Sequence, residues 1–477
     1  MAGSVKQGAK LGVLALAMIN IAAVVTPKNL PITAEYGMSM FFYVGIATLV
    51  FLIPIGLAAA ELASLMPPKA GGVYVWVREA FGERLGFLAV WCEWSENLTW
   101  FPTVLAYVAG ALAYVIEPSL AANKFFLVAV MLSVLWGTTA ANFLTTSSST
   151  RLTSIGTMLG AILPVVLMVG LAIAWLADGR GSQLDAGFGE LLPDLNVAHM
   201  VLLAGIILGF AGMELAGYHA REAADPERDY PRAMALSAAV VVAFVLLGSL
   251  ALAIVVPQHE ISLVDGAMQF FQTMLDGLGI GWLLKPVAAL VVIGAMAHLS
   301  PWILGPAKGL AAVARRGKLP PVLGRLNGNG VPAAGMVVQG IGGSLFALLF
   351  LFIPGVNTSY WILTALTTQV FVVMYVLIFA SVIRLRYTQP DRERAFRVPG
   401  GKPGVWLIMG FAIAGSLFAF VLGFFPPSQL DSFSASERVW YYVGMAGGFI
   451  ALTCPPFLIQ LFRRQGWSPM REPEQAG

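Results

Sequence analysis

The feature that most constrains this chain is a series of twelve apolar runs, each about as long as a bilayer is thick. A helix needs roughly 20 apolar residues to cross the hydrocarbon core, where only helices and closed barrels satisfy their own backbone hydrogen bonds. With 58% hydrophobic and 11% charged residues, a soluble domain would expose large apolar patches. We therefore predict an all-α membrane protein with about twelve transmembrane spans, numbered here in chain order: 11–33, 38–60, 85–116, 124–144, 152–177, 197–218, 233–257, 282–313, 332–353, 359–384, 403–425 and 438–462.

The basic residues predict how these spans are oriented. If both termini are cytoplasmic, 22 of the 28 Lys and Arg residues fall on the inner side, while the outer loops carry mainly acidic residues. Because cytoplasmic loops collect positive charge, we expect a bacterial-type inner-membrane protein with both termini inside and no nucleic acid partner. Cys92 and Cys454 lie in separate spans and predict no cysteine metal site or disulfide framework.

Span 1 contains a proline inside its apolar run. Pro27 lacks an N–H and fits best at the first position of a new helix, with Thr26 as its N-cap. Such a break would leave the amides of Lys28 and Asn29 free near the membrane centre, where a substrate carboxylate could bind at the positive end of the half-helix. An ordinary proline kink is the alternative.

Span 6 has a second weak point, where Gly209 and Gly212 lie beside the intramembrane residue Glu214. An acidic residue at a helix centre costs about 2.5–3.5 kcal/mol on insertion scales, so a purely structural helix would have little use for it. The glycines could instead serve close helix packing. Taken with the break five helices earlier, this segment favours a carrier whose site lies between two interrupted helices.

Four separated stretches resemble the amino acid/polyamine/organocation family, and within it the glutamate/GABA antiporter group, in the family's order and spacing. They are Ala60–Gly82, which includes GGVYVWVREAFG, Gly212–Pro231, Trp302–Gly309 and Gly317–Pro332.

This resemblance implies the leucine-transporter fold, a five-plus-five inverted repeat with two added helices that works by alternating access. The organisation would then be a cytoplasmic tail at 1–10, repeats at 11–177 and 197–384, the added helices at 403–462 and a short cytoplasmic tail at 463–477.

The resemblance also implies which residues form the site. Glu214 matches the family glutamate of the unwound sixth helix, which is implicated in gating or proton coupling. The substrate would contact three short groups of residues: Val24, Val25 and Thr26 in span 1; Leu208, Gly209, Phe210 and Gly212 in span 6; and Trp302 in span 8.

This chain departs from the family pattern in three places. The glycine-serine-glycine motif of span 1 is replaced by Val24, Val25 and Thr26, so the resemblance does not carry the family's backbone anion site over to these positions. Span 5 has Ser154 where a lysine is common, so the resemblance does not imply proton coupling through a lysine ammonium in span 5. Because the sequence continues only briefly after Arg464, we expect no long C-terminal plug like that of the antiporter group.

Span 3 carries two acidic residues near the membrane centre. Glu93 and Glu96 are three positions apart and share a helix face, where two anions repel unless a cation or protons join them. A cationic substrate amine, coupled protons and a buried pairing with Lys28 are the competing explanations. His298 in span 8 is either a proton sensor or a hydrogen-bonded histidine within the bundle.

These features favour a secondary active amino-acid transporter, either an amino acid/amine exchanger or a proton-coupled permease. The alternative is an amine or polyamine permease that selects a cationic substrate through Glu93 and Glu96. We expect no enzyme, cofactor or metal, because the chain has no phosphate-binding loop, His/Cys cluster or nucleophile with a paired base. The expected partners are the lipid bilayer, a small amino acid or amine, and H⁺ as a coupling ion; the oligomeric state is left open.

Overall fold

The computed structural model describes residues 12–66, 72–144, 155–185, 187–215, 225–427, 435–462 and 467. All regular structure in these residues is helical. Ten helices are long and apolar enough to cross a membrane, or up to twelve if each of two bent helix pairs is one span. The all-α prediction with about twelve spans is therefore confirmed.

The spans have the following bounds: Val13–Val24 with Pro27–Ala34 (span 1), Gly37–Leu65, Glu83–Ile116, Lys124–Phe143, Ile155–Ala177, Val197–Leu215, Arg228–Val255, Gly281–Arg315, Ala333–Phe352, Val356–Thr388, Gly401–Leu422, and Arg438–Thr453 with Pro455–Leu461 (span 12).

The structure differs from the predicted bounds in two respects. Span 12 was expected as one helix but bends by 42° after Thr453, because Pro455 and Pro456 start a new helix and cannot continue the old hydrogen-bond ladder. Two shorter helices, Gly72–Phe81 before span 3 and Gly266–Gly277 between spans 7 and 8, were not predicted.

Spans 3 and 10 form the centre of the bundle. In each of them 78% of the most apolar window is buried, compared with 33% in spans 4, 5 and 11. The two central helices meet through small polar side chains: the hydroxyl of Thr367 donates to that of Thr99 at 2.8 Å. Such interhelical hydrogen bonds join helices where lipid gives no hydrophobic drive for their association.

Glycines bring span 5 against span 8. A Cβ atom added to Gly160 would lie 2.2 Å from the Cα of Gly294, and one added to Gly294 would lie 2.3 Å from the Cα of Gly160. Only glycine allows backbones to approach this closely. The contact fixes span 8 one helical turn before His298.

One end of span 2 is joined to the end of span 10 by a buried ion-pair cluster, here called the Glu61 cluster (Glu61, Arg386, Arg394 and Val398). The Glu61 carboxylate accepts from Arg386 Nε at 2.5 Å and Nη2 at 2.6 Å, and from the Val398 amide at 2.8 Å. Arg394 Nε lies 3.3 Å from the same carboxylate. The second guanidinium also caps span 10, because its Nη2 donates to the Leu385 carbonyl at 3.0 Å.

Candidate substrate site

Span 1 is interrupted at the position that its sequence predicts. The helix ends at Val24, and Thr26 is extended, with φ −150° and ψ 134°. Pro27 starts the next half-helix, and the two halves meet at 48°. The expectation of free amides was wrong for Lys28, because its N–H donates to Thr26 Oγ1 at 3.4 Å.

Span 6 is interrupted after Gly209, where its helix ends. Gly212 has φ +107°, a conformation that side chains rarely adopt, and a Cβ there would meet the Ala23 carbonyl oxygen at 3.4 Å. The Gly212 amide donates to Glu214 Oε2 at 3.1 Å and to the Tyr375 hydroxyl at 3.2 Å, and that hydroxyl donates to Glu214 at 3.0 Å. Two side chains therefore satisfy the amide that the break exposes.

A small cavity of about 30 Å³ lies where the two breaks meet. A cavity needs a volume of roughly 10–15 Å³ to hold one water molecule, so this cavity holds no more than a few waters. Its walls come from spans 1, 3, 6, 8 and 10: Ala23, Val24, Thr26, Lys28, Asn29, Glu96, Trp100, Leu208, Gly209, Ala211, His298, Trp302 and Phe371.

Lys28 brings a basic side chain to this cavity. The residue is 1% exposed, and its Nζ lies 3.4 Å from Asn29 Oδ1 and 5.6 and 6.0 Å from the ring centroids of Tyr360 and Trp100. Among the described residues, no carboxylate lies within the 4.0 Å of an ion pair with Lys28. The ammonium is thus held by an amide oxygen and aromatic faces.

Glu96 brings a carboxyl group to the same cavity. It is 1% exposed, and its Oε1 accepts from Asn97 Nδ2 at 2.6 Å. Glu96 and Lys28 line one space without contact, so the direct pairing considered from the sequence is not formed. Glu93, one turn earlier, is partly exposed and is not part of the described cavity wall.

Aromatic rings close one side of the cavity. The ring centroid of Trp100 lies 5.3 Å from that of Trp302 and 6.3 Å from that of His298, and the centroids of His298 and Trp302 are 6.4 Å apart. These rings offer both an apolar surface and a π face to an amine. Whether His298 also senses protons stays a prediction.

Seven of the predicted site residues lie on the cavity wall: Val24, Thr26, Glu96, Leu208, Gly209, His298 and Trp302. Five lie elsewhere. Val25 lines a neighbouring small space with Tyr107 and Gly160, Phe210 is fully buried in the core, and Gly212, Glu214 and Glu93 do not line the cavity. Ser154 falls outside the described residues.

Six further residues lie on the wall: Ala23, Lys28, Asn29, Trp100, Ala211 and Phe371. For Lys28 and Asn29 the sequence predicted a role of the backbone amides but not of the side chains. Lys28 and Asn29 carried a usable signal, because they directly follow the break at Pro27. Trp100 lies four residues after Glu96 and therefore on the same helix face. Phe371 gave none, since nothing in the apolar run of span 10 marks one residue among its neighbours.

Comparison with known proteins identifies the family. The family model for amino acid permeases matches residues 11–451. An uncharacterised transporter of Legionella pneumophila is 38% identical over 449 residues, covering 94% of this chain and 96% of its own. A glutamate/gamma-aminobutyrate antiporter of Lactococcus lactis subsp. cremoris is 30% identical over 470 residues, covering 97% and 93%.

A more distant relative is a probable agmatine/putrescine antiporter of Lactococcus lactis, which is 23% identical over 416 residues and covers 86% of this chain and 87% of its own. These relatives are transporters, not enzymes. The match across nearly the whole chain, with its many apolar helices, makes this a multi-pass membrane protein consistent with the leucine-transporter fold. The chain belongs to the amino acid permease family, within the amino acid/polyamine/organocation group that its motifs resemble.

Proposed function

We propose that this protein is a secondary active transporter of a small amino acid, which it exchanges for a related amine-bearing solute or imports with protons. The observation that carries the proposal is the cavity between the two interrupted spans, because it brings the ammonium of Lys28 and the carboxyl group of Glu96 to one space. A solute with both an acid and an amine group complements such a space. The antiporter relatives, whose names give glutamate and gamma-aminobutyrate, support the same class.

Transport by this site requires the spans to move. The cavity of about 30 Å³ is too small for an amino acid, so binding must widen it. We propose that the half-helices of spans 1 and 6 turn about their breaks, as in alternating access. The ring of hydrogen bonds that joins Gly212, Glu214 and Tyr375 would hold the span 6 break together during this motion.

Coupling and orientation belong to the same proposal. We assign proton coupling to Glu214, Glu93 and His298, which are ionisable groups in or beside the site, and we place both termini in the cytoplasm of a bacterial-type inner membrane. Uptake into proteoliposomes with and without an imposed proton gradient distinguishes solute exchange from proton-coupled import. An obligatory exchanger needs a solute inside the vesicles, whereas a proton-coupled importer needs the gradient.

The second candidate is an amine or polyamine permease, which Glu96 favours. Lys28 argues against it, because a cationic substrate would enter a small cavity that already holds a positive charge. The relative named as a probable agmatine/putrescine antiporter is also the more distant one, at 23% identity.

The deciding experiment is a thermal-shift screen of the purified protein against amino acids, amines and polyamines, followed by counterflow of each binder in proteoliposomes. A ligand that binds the folded state stabilises it. We expect amino acids to raise the melting temperature and to be exchanged across the bilayer. Stabilisation and counterflow by polyamines alone would instead establish the second candidate, and no counterflow of any solute would contradict transport.

A further inference from the structure

We propose that the Lys28 side chain, rather than the amides at the two breaks that already have acceptors, binds the carboxylate of the substrate, while Glu96 binds its amine. This inference rests on the proposed function, since it names the groups by which the same cavity would select a solute. It also narrows the substrate class, because it requires one acid group and one amine on a short molecule.

Several backbone amides at the two breaks already have acceptors within the protein. At the span 1 break the Val25 amide donates to the Ile21 carbonyl at 2.9 Å, and the Lys28 amide donates to Thr26 Oγ1 at 3.4 Å. At the span 6 break the amides of Phe210 and Ala211 each donate to a carbonyl at 3.1 Å. A substrate carboxylate at any of these amides would have to displace a hydrogen bond inside the protein.

The Gly212 amide is the most firmly occupied of this group. Its hydrogen is shared between Glu214 Oε2 and the Tyr375 hydroxyl, which are themselves joined by a hydrogen bond. The carboxyl group of Glu214 therefore takes the place that a substrate carboxylate would occupy at the opened helix. A second carboxylate at this amide would also approach Glu214 and be repelled by it.

Lys28, in contrast, lacks the partner that its burial demands. A lysine ammonium has three donors, and the described contacts provide one amide oxygen at 3.4 Å and two aromatic rings at 5.6 and 6.0 Å. Buried charges are normally paired, because an isolated one is expensive in an apolar surrounding. A substrate carboxylate in the cavity would supply the ion pair that is absent from the described residues.

Glu96 provides the acidic group that would bind the substrate amine. Its carboxyl group accepts one hydrogen bond, from Asn97, and lines the same cavity without reaching Lys28. The face of Trp100 lies on that wall too and attracts an amine. A short amino acid placed between Lys28 and Glu96 joins two groups that the protein keeps apart, whereas a diamine would leave Lys28 unpaired and repelled.

The inference is tested with ligand pairs that differ only in the carboxylate. The twenty standard amino acids and 4-aminobutyrate are screened by thermal shift, and the affinity of each binder is then compared with that of its carboxamide, which keeps the amine but carries no anion. In the unaltered protein we expect the acid to bind about 10- to 100-fold more tightly, as for a hydrogen-bonded charge.

The variant Lys28→Gln tests whether Lys28 is responsible for the preference for the acid over the carboxamide. We expect the ratio of acid to carboxamide affinity to fall close to one, because the carboxylate loses its cation while the amine keeps Glu96. Both affinities come from one preparation, so partial misfolding cancels in the ratio. Lys285→Met, which removes an exposed lysine at the end of span 8, is the matched control and should keep the ratio.

Lys28→Arg covers the case in which Lys28→Gln does not fold. It keeps the positive charge and should retain the preference for the acid. An unchanged ratio in Lys28→Gln, or equal affinity for acid and carboxamide in the unaltered protein, would overturn the inference but leave the transport function intact. Failure of every amino acid to bind would instead contradict the proposed function itself.

Discussion

The Glu61 cluster and the central cavity both bury charged side chains, but they treat them in opposite ways. In the cluster the Glu61 carboxylate, which is 2% exposed, contacts Arg386, Arg394 and the Val398 amide, all within 3.3 Å. In the cavity Lys28 and Glu96 are each 1% exposed and form no ion pair with one another.

This difference separates structural charges from functional ones. Breaking a buried ion pair leaves an uncompensated charge and is strongly destabilising, so the Glu61 cluster is a fixed joint between spans 2 and 10. Charges that remain unpaired in a cavity contribute little to folding and are costly to bury. We expect such charges at sites where a bound ligand supplies the missing ion-pair partner. Substitutions in the two regions should therefore separate stability from transport.

The largest loss of stability is expected for Glu61→Ala. It leaves Arg386 and Arg394 buried without their carboxylate and should cost about 3–5 kcal/mol, measured by chemical unfolding in detergent. Glu260→Ala is the matched control, because the exposed Glu260 side chain lies 3.5 Å from the exposed His259 and such surface contacts contribute only about 0–1 kcal/mol. Equal losses in the two variants would remove the distinction between the cluster and the surface.

A smaller loss is expected for Tyr375→Phe. Removing the hydroxyl takes one acceptor from the Gly212 amide and one donor from Glu214, which should cost about 1–2 kcal/mol and slow transport by loosening the span 6 break. Tyr387→Phe is the control, since the Tyr387 ring is exposed and its hydroxyl contacts Trp406 at the surface. Unchanged stability and transport in Tyr375→Phe would argue that Glu214 alone holds the break.

Glu96→Gln should change stability by less than about 1 kcal/mol, since no ion pair is broken. The affinity for amine-bearing substrates should nevertheless fall about tenfold or more, as measured by binding and uptake in proteoliposomes. Glu117→Gln, an exposed change just beyond the end of the same helix, is the control. A loss of stability as large as that of Glu61→Ala would show that Glu96 holds the fold together and is not reserved for the substrate.

The smallest effect is expected at the partly exposed contact of Glu79 with Gln389 and Arg392. The hydrogen bond from Gln389, helped by Arg392, holds the pKa of Glu79 below its ordinary value near 4.5. A lowered pKa in the folded protein stabilises it above pH 4.5, and this contribution is lost as the pH falls through the folded value. Unfolding curves from pH 6 to 3 should show a slightly weaker acid dependence in Glu79→Gln, and identical curves would contradict the contribution.

The breaks in spans 1 and 6 were predictable from sequence because they depend on local chemistry. Pro27 cannot continue a helical hydrogen-bond ladder, and Gly212 occupies a conformation that other residues avoid. The distant residue that acts at the span 6 break was not predictable. Tyr375 reaches the Gly212 amide from 163 residues away, and no local pattern marks it.

The same limit explains why the inverted-repeat boundaries at 11–177 and 197–384 stay a prediction, and why the pairing of Glu96 with Lys28 was left open. Both residues are rare charges in apolar spans, which is a sequence signal. Two such charges form an ion pair only if their helices have the right rotation and depth relative to one another. The sequence of a single span does not determine either quantity.

By itself, the sequence determined the membrane-spanning class, the number of spans and the places where two of them break, because the length of apolar runs and the backbone limits of proline and glycine act locally. The tertiary structure alone decided that Lys28 lies in the cavity with Glu96, and that the Tyr375 hydroxyl accepts from the Gly212 amide. These contacts join helices far apart in the chain, so only the packing of the whole bundle creates them.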